Sequence, residues 1–153
     1  MSVTPLQVPI LAVTGGRDVE PTSAELAALF AACYRRRVRV LRVGDCPTGV
    51  DASVAAAVRA LRPGLEPGQR SWTLEVWTAD WSRLGRRAGP ERNQAMLRGD
   101  SSGTGGVIAV GGIVSAGAAG VLVTWPGGKG TASACQAARD EGIRVVCISE
   151  LVA

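Results

Sequence analysis

Apolar and polar positions along the chain alternate between short β-branched runs and amphipathic stretches. Val8 to Thr14 is an apolar run ending at Gly15-Gly16, the pattern of a buried strand. Thr22-Ser23-Ala24-Glu25 has capping-box spacing, and Leu26, Leu29, Phe30 and Cys33 then share one helical face. Val38 to Val43 predicts a second strand, closed by Gly44. Asp51 is placed to cap a helix running to about Leu61, with Val54, Val58 and Leu61 facing inward. Pro63 to Gly68 reads as a loop and Trp72 to Thr78 as a third strand. Pro90 suits the first turn of a helix that Gly99 would end. Val121 to Trp125 predicts a fourth strand, Thr131 to Glu141 a helix stopped by Gly142, and Arg144 to Ile148 a fifth strand.

Strands alternating with helices over short links predict an α/β protein: a Rossmann-like three-layer α/β/α domain spanning residues 1–153. Its sheet should be mainly parallel, five-stranded or slightly larger, doubly wound and covered on both faces. Residues 100–120 interrupt the alternation. They read as a flexible glycine-rich insertion, with a short extra strand or helical turn around Gly106 to Val114. No charge occurs between Asp100 and Lys129, and Gly106 to Trp125 has the length of a membrane span, about 20 residues. Seven glycines within 101–120, and Pro126-Gly127 directly after, argue against a transmembrane helix.

Composition narrows the chemistry. The chain holds 20 glycines and few aromatic residues, which favours sites built from backbone over aromatic cages. Its net charge of +4 comes from 17 basic and 13 acidic residues, and Lys129 is the single lysine. The arginine guanidinium is a planar fork that fits phosphate or carboxylate. Histidine is absent, which removes histidine triads and the usual zinc ligand sets. Cys33, Cys46, Cys135 and Cys147 are widely spaced and form no CxxC pair, so buried reduced thiols are expected, with no metal site and no disulfide framework. No cofactor is implied. The N-terminus lacks the basic start and apolar core of a signal peptide, and a cytoplasmic location is expected.

The unusual residues follow the predicted strands. Thr14-Gly15-Gly16-Arg17-Asp18 follows the first, Gly44 to Asp51 the second, Ala79-Asp80-Trp81 with Gly85 to Asn93 the third, and Pro126 to Thr131 the fourth. In an open parallel sheet all four segments meet at the carboxyl edge, where ligands bind. Pro126, Gly127, Gly128, Lys129, Gly130 and Thr131 form a glycine-rich turn into a helix, so successive amides and the helix dipole can hold one anion. The spacing is neither a Walker A loop nor GxGxxG. Arg92 should lie early in its helix and reach back to the edge, to clamp a phosphate or pair with a carboxylate, with Asn93 placed to bond a ribose or orient a loop. Gly15, Gly16, Arg17, Gly49 and Asp51 complete the candidate binding set; Asp51 is also a good helix cap. Arg92, Glu91, Asp80 and Asp18 are the candidate catalytic groups. Arg83, Arg86 and Arg87 read as solvated charge, and the Arg35–Arg42 run as a solvated helix end and strand edge. Trp81 and Trp125 could stack on a base, although packing roles are commoner.

VTGGRD at 13–18, GDCPTGVD at 44–51, ADW at 79–81, GxxAGPERN at 85–93 and WPGGKGT at 125–131 together resemble the SLOG superfamily, in its YspA-like, cpYpsA-related branch. The resemblance implies a Rossmann-like fold and a site that binds or senses nucleotide derivatives. The chain is more distantly similar to the Lonely-guy phosphoribohydrolases, which share the PGGxGT loop and an arginine matched by Arg92. That likeness implies cleavage of the N-glycosidic bond of a nucleoside monophosphate, and a homodimer or higher oligomer. Here the family's catalytic glutamate falls on Ala134, which leaves the phosphate cradle without that acid. The 100–120 insertion also departs from the family pattern and could form a lid. Binding of a nucleotide-like small molecule is therefore the first expectation and glycosidic cleavage the second. Nucleic-acid binding in the manner of the SLOG relative DprA is a distant third, and no membrane partner is expected.

Overall fold

A computed structural model describes residues 10–61, 72–110 and 114–152. The expected loop at Pro63–Gly68, the first residues of the Val8 run and positions 111–113 lie outside the described residues. The elements run β1 (Ile10–Thr14), α1 (Ser23–Arg35), β2 (Val40–Gly44), α2 (Gly49–Leu61) and β3 (Thr73–Thr78). They continue with α3 (Trp81–Leu84), a 3-10 turn at Gly85–Arg87, α4 (Ala88–Arg98), β4 (Gly106–Val110) and β5 (Val121–Thr124). The last three are α5 (Lys129–Asp140), β6 (Arg144–Cys147) and α6 (Ile148–Val152).

The six strands form one sheet in the order β4-β3-β2-β1-β5-β6. Every pairing is parallel except that of β3 with β4. The fold is the expected Rossmann-like α/β architecture. β1, β2 and β5 are buried along their whole length, as parallel strands covered on both faces must be. Alternate side chains supply two cores. Leu11 and Val13 of β1 join Leu29, Cys33, Val54 and Val58 from α1 and α2. Ile10 and Ala12 join Met96, Leu97, Ala134 and Ala138 from α4 and α5 on the other face.

Local chemistry sets the helix ends. Thr22 and Glu25 form both halves of the capping box at α1. Gly99 closes α4 in the left-handed conformation. α2 begins at Gly49, so Asp51 is its third residue rather than its cap. Leu61, expected to face inward, is 45% exposed. α5 begins at Lys129, two residues before the expected start.

The extra strand expected near Gly106 is present, and the expectation for the basic run is overturned. The glycine-rich insertion supplies a sheet element: β4 pairs with β3 from Thr78↔Gly106 to Leu74↔Val110 and forms the antiparallel edge of the sheet. The Arg35–Arg42 run is not solvated throughout, because Arg42 is completely buried. Its Nε pairs with Glu75 at 2.9 Å, across the β2–β3 register that sets the two residues side by side. Nη1 donates to the carbonyls of Met96 (2.9 Å) and Gly117 (2.8 Å), and Nη2 to that of Ser115 (2.8 Å). Glu75 accepts in return from Trp77 Nε1 at 3.1 Å and from the Ser115 amide at 2.6 Å. A buried charge pair needs such complete satisfaction. Here the satisfaction comes from the 115–117 backbone, which the pair fastens to the sheet.

Candidate functional site

The chain leaves β1 toward β2 and β3 on one side, and returns through β5 and β6 on the other. The loops after β1 and β5 therefore flank the switch point of the sheet, where its crevice opens. They are joined by backbone bonds: the Gly16 amide donates to the Pro126 carbonyl at 2.9 Å, and the Trp125 amide to the Thr14 carbonyl at 2.9 Å. Above them lies a cavity of about 490 Å³. Gly15 to Asp18, Gly44, Cys46, Asp51, Arg92, Asn93 and Gly127 to Thr131 line it.

The amides of Gly127, Gly128, Lys129, Gly130 and Thr131 donate to no protein acceptor among the described residues; the first amide bonded in this helix is that of Ala132, to the Gly128 carbonyl. The N-cap, Gly128, has no side chain to satisfy them. Five successive donors at a helix N-terminus thus stand open beside the cavity, with the helix dipole behind them. The glycines hold this shape: a Cβ on Gly127 would collide with the Thr131 side chain.

Arg92 enters from α4. Its Nη1 pairs with Asp45 at 2.6 Å and contacts the Trp77 carbonyl at 3.4 Å, while Nε donates to Asn93 Oδ1 at 2.9 Å. Nη2 has no protein acceptor among the described residues, which leaves two N–H donors. Asn93 is buried and donates in turn to the Gly130 carbonyl at 3.3 Å, which ties the arginine to the first turn of α5. Asp51 sits at the cavity floor. A Cβ on Gly44 would lie 2.7 Å from Asp51 Oδ2 and 2.8 Å from Arg92 Nη1, so only glycine leaves room for both groups. Burial pushes the Asp51 carboxyl up to about 6, against the opposing pull of Arg92 and of the Cys46 and Gly44 amides.

The structure sorts the sequence-based candidates. Gly15, Gly16, Arg17, Asp18, Asp51, Arg92, Asn93, Gly127, Gly128, Lys129, Gly130 and Thr131 share the one cavity. Pro126 stands behind the loop, where its carbonyl accepts from Gly16. Gly49 lines a neighbouring groove; its φ of +71°, and the Gly16 and Arg17 backbone packed on its Cα, make it a structural glycine. Asp80 caps α3 and pairs with Arg83 at 3.0 Å, and that hydrogen bond holds its carboxyl below the usual range. Glu91 is exposed and, like Asp80, does not line the cavity. Trp125 is buried and donates Nε1 to Glu25, so its ring is not free to stack; Trp81 is exposed outside the cavity. Arg83, Arg86 and Arg87 are exposed and also outside it.

Ala134, at the position of the Lonely-guy glutamate, is sealed in the core between α4 and α5. No described residue of 100–120 lines the cavity, so none of them forms the lid over it that the sequence allowed. All four cysteines are free: Cys33 and Cys135 are buried as expected, but Cys147 is exposed and Cys46 is half-buried in the cavity wall. The sequence reading missed Asp45 as partner of Arg92, and Cys46 as a wall residue. Their place directly after a predicted strand, in the segment that also holds Asp51, was the signal available.

Fold and site together define a Rossmann-like α/β protein with a polar, donor-rich cavity at its switch point. Among the described residues no helix is long and apolar enough to cross a membrane. No family model matches the chain, and no significant match is found among curated proteins or among solved structures.

Proposed function

We propose that this protein binds or senses a nucleotide-derived ligand carrying phosphate and ribose. The observation that carries the reading is the meeting, in one cavity, of five unbonded amides at 127–131 with the free Nη2 of Arg92. A phosphate oxygen is the acceptor such donors suit, and each charge-assisted bond contributes about 1.5–3 kcal/mol. The cavity volume of about 490 Å³ suits a mononucleotide. The resemblance of five segments to the SLOG superfamily supports the same reading.

Glycosidic cleavage needs a carboxylate at the sugar, and Ala134 offers none. Asp18 and Asp51 are the acids at the cavity among the described residues. Neither stands on α5, where the family glutamate would be, and binding without turnover is the expected behaviour. Native mass spectrometry of the purified protein and calorimetry with a panel of nucleoside monophosphates test it. Binding is expected, weakened about tenfold or more by Arg92→Ala, with no release of free base. Absence of any retained or added nucleotide up to millimolar concentration would reject the reading.

A further inference from the structure

The cavity adjoins a second hollow of about 520 Å³, and Arg17, Asp18 and Val19 line both. Ala52, Ser53 and Ala56, on one face of α2, wall the second hollow. The ridge between the two is fixed through its backbone. Thr48 Oγ1 donates to the Arg17 carbonyl at 2.9 Å, and the Val50 amide donates to the Gly16 carbonyl at 3.3 Å. The Arg17 side chain is exposed, and its guanidinium has no hydrogen-bond or ion-pair partner among the described residues. Charge changes along this path. The first cavity offers the open amides of 127–131 and Arg92, and the free Arg17 cation stands at the ridge. The other charged groups of the second hollow are acids, Asp18 and Glu20. Among the described residues Glu20 takes no hydrogen bond from this hollow except that of Ser53 Oγ at 3.4 Å, which leaves acceptor positions open. Such a hollow suits hydroxyl donors and repels phosphate everywhere but at its Arg17 end.

From this order of groups we infer that the ligand is a nucleoside diphosphate carrying a second sugar. Its first phosphate rests on Gly127–Thr131, its second meets Arg17 at the ridge, and hydroxyls of the second sugar donate to Glu20 and Asp18 in the hollow beyond. The inference rests on the phosphate reading above and adds to it a second phosphate and a second sugar, neither of which that reading requires.

Calorimetric titration with two series of probes tests it: AMP, ADP and ADP-ribose, and UMP, UDP and UDP-glucose. In at least one series the unmodified protein should bind the sugar-bearing diphosphate about tenfold or more tightly than the monophosphate, with the plain diphosphate between them. Arg17→Ala should bring the plain diphosphate within about twofold of the monophosphate. Ala56→Leu keeps a good helix former on α2 and fills the second hollow. It should remove the advantage of the sugar-bearing probe over the plain diphosphate. A sugar-bearing diphosphate bound no more tightly than its monophosphate, in both series, overturns the inference even if the variants fail to fold. An advantage of the second sugar that survives in folded Ala56→Leu protein overturns it as well. If no probe of either series binds, the phosphate reading falls and this inference with it; if the monophosphates bind and the longer probes gain nothing, only this inference falls.

Discussion

Asp51 shows what one buried acid does to the cavity and to the fold at once. Burial raises its carboxyl from the ordinary aspartate value of 3.8 to about 6, because the charged form loses water. A group whose folded value lies above its unfolded one holds its proton more tightly in the native state. Its contribution to stability is fully present below about 3.8 and is lost as pH rises through about 6. The groups that act on it are Arg92 from α4, and Gly44, Asp45 and Cys46 at the end of β2 and in the loop after it, while Arg17, Asp18 and Lys129 line the same cavity. Asp51→Asn removes the titration and keeps the shape. The stability of the native protein relative to this variant should fall between about pH 4 and pH 6, as read from urea unfolding at several pH values. Parallel curves for the two proteins would contradict the assignment. The sequence placed Asp51 correctly after the second strand, but a helix-cap pattern cannot reveal that the side chain turns down under Gly44.

Among the elements, parallel strands were the most legible, since burial on both faces writes an uninterrupted apolar run. β4 was less so: its apolar run, Gly106 to Val110, sits in glycine-rich surroundings that also suit a loop. Its pairing depends on the open edge of β3, which lies far away in sequence. Arg42 misled for a related reason. Periodicity counts arginine as a polar, solvated position, and only the lateral register with Glu75 makes it a core residue. Two opposite charges, each in the middle of a run that otherwise reads as buried strand, were the available clue. The pair also explains how the insertion is held, because its remaining bonds go to Ser115, Gly117 and Met96. Arg42→Leu leaves Glu75 charged and buried without its partner, and should cost about 3–5 kcal/mol in urea unfolding. A loss under about 1 kcal/mol would mean that the network contributes little.

At the scale of the molecule, sheet order converts four separated segments into one site. β1 in the centre, with β2 and β5 on either side, brings the loops after all three strands together, and α4 then delivers Arg92 to the same cavity. The motif order in the sequence implied this convergence. Which acids joined it could not be read there, since Asp80 and Glu91 also follow the third strand and yet end outside. The central claim is that an anion rests on the 127–131 amides beside Arg92. The most direct measurement is titration of inorganic phosphate into ¹⁵N-labelled protein, following each backbone amide and the arginine Nε resonances. The largest shifts are expected at Gly127 to Thr131 and at Arg92. Phosphate binding that leaves those resonances in place, and moves those of Arg83, Arg86 and Arg87 instead, would contradict it.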